Sequence, residues 1–245
     1  MVAVNRLALF VRRFVRARRH GVRFTGIART RLPSRMRFGG AWRDIALPSD
    51  DPMLVPDFVN VVLDDDYGLR SLCNAPQTIV DIGANVGFFS TFARHCFPEA
   101  TIHAYEPSRA TAAYARSNTA HAGTTLFDEG VAASPGCATI RALGSSTLAR
   151  TEPAETGEVR LTSLADVVER IGGQVDLLKI DCEGAEWDIA ANPAPFAQVR
   201  AIRMEYHLVG GRTLADVQRL AESIGFEVRK LVPNQGFGIA WLDRA

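Results

Sequence analysis

The sequence predicts a doubly wound α/β fold built on a mostly parallel sheet of seven strands. Three observations carry that expectation. From residue 78 onward apolar, strand-like runs alternate with helical patterns, the signature of a parallel sheet covered on both faces. The run at 78–90, TIVDIGANVGFFS, reads as a buried strand, a tight glycine turn and the start of a helix. The chain then closes with two strand-like segments joined by only Pro233-Asn-Gln-Gly236, a connection suited to an antiparallel pair.

In order, the expected strands are Thr78–Ile82, Ala100–Tyr105, a single strand within Thr124–Ala132, Val175–Ile180, Val199–Glu205, Phe226–Val232 and Phe237–Leu242. The first helix should open near Phe88 and stop before Pro98, and the second should run from about Ser108 to Gly123. Ser163-Leu-Ala-Asp166 and Thr213-Leu-Ala-Asp216 are capping-box patterns, each opening a further helix. A short helix is expected over Glu183–Ala191. Residues 133–162 read as a looser stretch. Before the sheet, Pro48, Pro52 and Pro56 argue against a helix, so 36–77 reads as a cap or lid, with Asp64–Asp66 a solvated turn.

Charge divides the chain. Residues 1–50 hold twelve Arg, no Lys, and only Asp44 and Asp50, a net +10, whereas the other 195 residues carry 16 basic and 25 acidic side chains, a net −9. Residues 1–50 are therefore read as a basic arm and the start of the cap, and 51–245 as the domain that carries the sheet. Within the arm Val4, Leu7, Val11 and Phe14 recur at helical spacing, with Arg6, Arg12, Arg13 and Arg16 on the other side. Residues 1–22 thus suit an interfacial helix against anionic lipid, a packing helix or a targeting segment. The acidic body argues against nucleic acid, whose phosphates want a basic face beside the site. Cys73, Cys96, Cys137 and Cys182 have neither metal spacing nor a paired framework. They are expected as small buried thiols of a reducing, cytoplasmic compartment, the arm allowing a peripheral position at the membrane.

The glycine turn is not that of a dinucleotide site. Gly83 and Gly87 are four apart, and Asn85 stands where the second glycine of G-x-G-x-x-G would be. Asp81 before it would repel pyrophosphate and suits a cationic or hydroxyl-rich ligand. Glu106, followed by Pro107, ends the second strand, a position from which a carboxylate can accept both hydroxyls of a ribose. An adenosine whose tail is a cation instead of a phosphate is S-adenosylmethionine. The expected cofactor residues are therefore Asp81, Gly83, Asn85, Gly87, Glu106 and Pro107.

Acids also collect at later strand ends: Asp181 and Glu183 flank Cys182, and Glu205 and His207 share a face at the end of the fifth strand. Asp181, Glu205 and His207 are the expected catalytic residues, with Glu183 on the acceptor. In this reading Asp181 positions the acceptor hydroxyl, while His207 takes its proton with Glu205 orienting the ring. No metal set is assigned; an ion on Asp181, Glu183 and Glu205 is the alternative route to the same activation.

The runs VDIGANVGFFS, AYEPS at 104–108, Asn118, LLKIDCEGAEW at 177–187 and MEYH at 204–207 together resemble the FkbM-type methyltransferases. The likeness spans roughly residues 60–210, and K-I-D-x-E-G-A-E is its most specific part. It implies a Rossmann-like class I methyltransferase fold, S-adenosyl-L-methionine as cofactor, and O-methylation of a hydroxyl on a small molecule, sugar, glycolipid or polyketide-type natural product. The family pattern continues into Leu-x-Gly, where this chain has Ala190-Ala191-Asn192-Pro193. An N-methyltransferase, or a non-catalytic cofactor-binding scaffold recruited by the arm, are the alternatives. The lack of an N-P-P-Y-like tetrad after the fourth strand weighs against a nucleobase amine.

Overall fold

In the computed structural model, which describes residues 2–141, 150–154 and 156–244, the chain opens with helix α1 (Val2–Arg19). A hairpin of β1 (Arg35–Phe38) and β2 (Ala41–Asp44) follows, then α2 (Leu54–Phe58), which runs on into a π-helical turn at Val59–Asp64. The acidic stretch expected as a lid is therefore helical. Pro56 falls in the first turn of α2, where the missing N–H has no helical partner to lose.

The first βα units are β3 (Thr78–Ile82), α3 (Phe88–Cys96), β4 (Thr101–Tyr105), α4 (Arg109–Thr119) and β5 (Thr125–Phe127). The stretch expected as one strand at 124–132 divides at Asp128, whose carboxylate meets Arg116 at 2.5 Å. Beyond it β6 (Glu129–Ala132) leaves the main sheet and joins β7 (Gly136–Arg141), β8 (Arg150–Ala154) and β9 (Val159–Ser163). The expected loose stretch thus holds much of a four-stranded sheet in the order β6-β9-β7-β8; its residues 142–149 and 155 lie outside the described residues.

The remainder comprises α5 (Leu164–Arg170), β10 (Val175–Ile180), α6 (Glu186–Ala190), β11 (Val199–His207), α7 (Leu214–Ser223), β12 (Phe226–Pro233) and β13 (Phe237–Arg244). Both capping boxes form, at Ser163 with Asp166 and at Thr213 with Asp216.

The main sheet has the order β12-β13-β11-β10-β3-β4-β5. The pairs from β11 to β5 are parallel, and β13 is inserted antiparallel between β11 and β12. From β3 the chain moves outward through β4 and β5; from β10 it moves outward the other way. The β3–β10 boundary is therefore the switch point, where strand ends part and leave a crevice.

Side-chain parity builds the two faces. Val80, Ile82, Leu178 and Ile180 enter a buried cluster with Val167, Val168, Val217 and Leu220 of α5 and α7. Ile79 and Leu177 enter the opposite cluster, with Phe89 and Phe92 of α3, Phe58 of α2, and Val22, Phe24, Met36 and Phe38 of the cap. Arm, cap and sheet thus share one apolar layer. Of the cysteines, Cys73 and Cys137 are exposed and Cys96 and Cys182 partly buried, so the expectation of four buried thiols is corrected; all four are unpaired.

Candidate active site

A cavity of about 520 Å³ lies over the carboxyl ends of β3, β4, β10 and β11, within the size range of small-molecule sites. Among the expected site residues it is lined by Gly83, Asn85, Glu106, Pro107, Asp181, Glu183, Glu205 and His207. Asp81 and Gly87 are the exceptions.

On one side of the cavity the main chain does the shaping. The N–H groups of Gly83 and Ala84 both donate to the Tyr105 carbonyl at 3.0 Å, clamping the turn to the end of β4. Gly83 has φ +76°, and a Cβ there would lie 1.7 Å from the Asp181 carbonyl oxygen, so only glycine fits between the two strand ends. Asn85 also adopts a left-handed conformation, φ +48°, and its side-chain amide donates to Asp57 at 3.0 Å.

The Glu106 carboxylate accepts one backbone N–H on each oxygen, from Asn85 and from Ser108, both at 2.9 Å. Each oxygen keeps a lone pair for a further donor. Burial pushes its pKa up to about 7, against the pull of those two N–H groups.

Gly87 stands behind the wall instead of on it. A Cβ there would sit 2.9 Å from the Thr119 side chain and 3.4 Å from Ala115, so this glycine lets α3 approach α4. Asp81 is likewise corrected from a ligand contact to a support. It is fully buried, accepts from the Ser90 hydroxyl at 2.7 Å, and pairs with Lys179 at 3.2 Å.

Lys179 joins the two sides. Its ammonium donates to the carbonyls of Ile82 (3.2 Å) and Gly83, and lies 3.4 Å from Asp181. Burial alone would lower its pKa, but Asp181 and Asp81 more than offset this and raise it. The cation is thus held against two carboxylates and ties the glycine turn to the end of β10. Asp181 also accepts from the Tyr67 hydroxyl at 3.1 Å.

On the opposite side, side chains do the shaping. His207 is buried at the end of β11, and its Nδ1 lies 3.2 Å from Glu186, a fully buried carboxylate. The same Glu186 oxygen accepts the His207 backbone N–H at 2.6 Å, and its other oxygen accepts from Gly184 N–H at 2.8 Å. Trp187 donates its indole N–H to the His207 carbonyl at 2.7 Å, and Phe237 of β13 stacks on the ring.

Nε2 is turned to the cavity acids, 3.4 Å from Glu183 and 3.6 Å from Glu205. Glu186, not Glu205, is therefore the residue that orients the ring, which corrects the expected partner. Burial lowers the His207 pKa, but bonding to Glu186 and the charges of Glu186, Glu183 and Asp181 outweigh it and leave it raised. Glu205 is raised well above the carboxylate range by burial, with Asp181 and Glu183 adding repulsion.

β10 stops at Ile180, and Glu183 has φ +55°, so the extended backbone expected to align Asp181 with Glu183 is absent. A turn brings both to the cavity instead. Glu183, Glu205 and His207 each offer a ligand atom within 4.8 Å of the others, a set able to hold a metal ion. Asp181, expected in the alternative metal set, is engaged by Lys179 and Tyr67 instead.

Sequence reasoning offered Lys179 as a partner for Asp181 or Glu183 but did not pair it with Asp81, and it did not place Glu186 or Tyr67 in the site. The pairing with Asp81 could have been found: Lys179 shares the parity of Asp181, and its register partner on β3 is Asp81. Glu186 was visible within the acidic motif but is brought under His207 only by the packing of α6 on β11. Tyr67 carries no local signal.

The family model for the methyltransferase FkbM domain matches residues 81–236, well over half of the chain. The chain belongs to the FkbM family of methyltransferases. Glu106, the K-I-D-x-E-G-A-E segment and His207 all fall inside the matched FkbM region. The chain is also similar to methyltransferase sdnD of Sordaria araneosa, 25% identical, with 71% of this chain and 82% of that one covered. Solved structures with a similar arrangement include a precorrin-6y C5,15-methyltransferase from Geobacter metallireducens GS-15. It is 14% identical, with a TM-score of 0.47, and 74% of this chain and 87% of that chain are covered. A ribosomal protein L11 methylase from Lactobacillus delbrueckii subsp. bulgaricus is 13% identical, with a TM-score of 0.46 and coverages of 72% and 74%.

Proposed function

We propose that the chain is an S-adenosylmethionine-dependent O-methyltransferase acting on a hydroxyl of a sugar, glycolipid or natural-product acceptor. The observation that carries this reading is His207. Its Nδ1 faces the buried Glu186 carboxylate, and its Nε2 faces the cavity that Gly83, Asn85 and Glu106 also line.

The cavity fits the cofactor in two respects. The glycine turn leaves backbone bare where a Cβ could not stand, and Glu106 has acceptor capacity left after its two backbone bonds. Gly83, Asn85, Glu106 and Pro107 would hold the adenosyl part. When bound, the cofactor supplies a methyl group on a sulfonium whose positive charge is lost on transfer.

The remaining work falls to the protein. Alignment of the acceptor oxygen supplies up to ~7–11 kcal/mol in favourable geometries, and Asp181, held by Tyr67 and Lys179, serves as its anchor. With its Nδ1 proton held by Glu186, His207 presents the Nε2 lone pair to the hydroxyl and takes its proton, a contribution of roughly 10²–10⁴-fold. Glu183 and Glu205 then lie beside the imidazolium that results. Glu183 lines the same cavity, which supports its assignment to the acceptor.

The test is transfer of a labelled methyl group from S-adenosylmethionine into glycan, lipid and small-molecule hydroxyl acceptors, with mass spectrometry of the product. Label on oxygen, lost in His207→Gln, is the expected result. Label on nitrogen would assign the N-methyltransferase reading, and cofactor binding without transfer the scaffold reading.

A further inference from the structure

Helix α1 is docked the wrong way round for an ordinary surface helix. Its body-facing side carries Leu9, Arg13, Arg16 and the buried Ala17, and His20, just past its end, is buried as well. Arg12 and Arg13 pair with Asp64, Arg16 donates to the Leu63 carbonyl, and His20 Nδ1 meets the Arg37 carbonyl at 2.9 Å. Polar bonds to the π-helical turn, with the Phe10 ring 5.6 Å from the buried Phe24 ring, thus hold the helix down, and the rest of its apolar stripe points outward. Leu7 is 65% exposed, Val11 50%, Val15 45%, Phe10 41% and Phe14 37%.

These five lie at i, i+3, i+4, i+7 and i+8, one continuous helical face. An apolar face left open while Arg13 and Arg16 are turned inward marks an interaction surface.

Charge says what covers it. Arg6, Arg18 and Arg19 are exposed along the helix, the Arg18 guanidinium lying 5.8 Å above the Phe14 ring, and Arg23, Arg29 and Arg31 are exposed just beyond it. Trp42, 53% exposed, lies against Gly21 past the helix end, an aromatic of the kind that sits at headgroup depth. A second copy would bring one +10 segment against another, whereas a layer of anionic headgroups over acyl chains matches both the arginines and the apolar stripe. Among the described residues no helix is long and apolar enough to cross a membrane, so the helix would lie in the surface.

We infer that the exposed face of α1 docks the protein on an anionic lipid bilayer, with Leu7, Phe10, Val11, Phe14 and Val15 inserted and the arginines on the headgroups. The inference is independent of the reaction assigned to the cavity. The same π-helical turn that pairs with α1 through Asp64 lines the cavity with Asn60 and Val61, so the docked face and the cavity mouth share one short segment.

The test is co-sedimentation of the full chain with phosphatidylcholine vesicles, with and without about a third phosphatidylglycerol. Deleting the arm is unsuitable because Ala17, His20 and Val22 are buried. Two triple variants keep the fold: Leu7→Gln with Val11→Gln and Val15→Gln, and Arg6→Gln with Arg18→Gln and Arg19→Gln. Unchanged thermal unfolding verifies that they do.

The expected result is that wild type pellets with anionic vesicles and not with pure phosphatidylcholine. The arginine variant should bind on the order of 100-fold more weakly, since each basic residue near such a surface contributes about fivefold. The apolar variant should lose pelleting, and about 1 M salt, with a screening length of about 3 Å, should weaken wild type. Wild-type failure to pellet, or equal pelleting by the apolar variant, overturns the inference. So does a concentration-dependent dimer that the apolar variant abolishes without vesicle binding, which would assign the face to a second copy.

Discussion

The two sides of the cavity are made differently. The cofactor side is main chain: a turn pinned by two N–H bonds to Tyr105 and a glycine pressed against the Asp181 carbonyl. The acceptor side is side chain: Glu183, Glu205 and His207, with the buried Glu186 behind the imidazole and Phe237 of a third segment stacked on it. A main-chain surface depends on backbone conformations that few residues permit, so it tolerates little change. A side-chain surface can be retuned one group at a time. In the proposed function the first side takes the cofactor and the second the acceptor.

That contrast should break hardest at Gly83. Gly83→Ala puts a methyl group 1.7 Å from the Asp181 carbonyl at a φ that L residues avoid. Cofactor binding should vanish and the unfolding midpoint should fall, both measurable by calorimetry. Wild-type affinity in this variant would refute the main-chain account.

Next in size is Glu106→Ala, expected to remove detectable S-adenosylmethionine binding while the fold survives. Here wild-type affinity would sink the ribose assignment. A gentler version uses pH. Glu106 has a pKa of about 7 and must be ionised to accept two hydroxyl donors, so affinity should weaken as pH falls below about 7.

The acceptor side should respond in rate and leave cofactor affinity alone. His207→Gln is expected to lower kcat roughly 10²–10⁴-fold. The base must be neutral and its pKa is raised, so wild-type rate should climb with pH to a midpoint above 6.5, and this limb should disappear in the variant. Full activity without His207 would exclude it as the base. Abolition of wild-type activity by chelator would move the role to an ion on Glu183, Glu205 and His207.

Glu186→Gln is a finer probe. Glu186 is the main group raising His207, so its loss should slide the acidic limb to lower pH and leave the cofactor dissociation constant unchanged. A limb that stays in place would mean that Glu205 or Glu183 sets it.

The smallest effect is expected at Asn85→Gly. Glycine takes the left-handed conformation more readily, and only the bond to Asp57 is lost, so stability should change by less than ~1 kcal/mol. A loss of several kcal/mol would show that the Asp57 bond holds the turn closed.

Much of this was legible in the chain because the decisive features are local. Strand–turn–helix order, the capping boxes at Ser163 and Thr213, the antiparallel last strand and the strand-end acids all follow from spacing and side-chain parity. The same parity would have paired Lys179 with Asp81, since they are register partners. What the sequence could not decide are contacts between segments far apart in the chain. Glu186 is turned under His207 only because α6 packs on β11, and Tyr67 reaches Asp181 across 114 positions. The chain leaves the main sheet at Asp128, dividing what reads as one strand. The sequence also determined that α1 has an apolar and a basic side, but which of them faces the protein was a tertiary decision. Asp64 and the Leu63 carbonyl draw Arg13 and Arg16 inward, and the fixed helical geometry then leaves Leu7, Val11 and Val15 facing out.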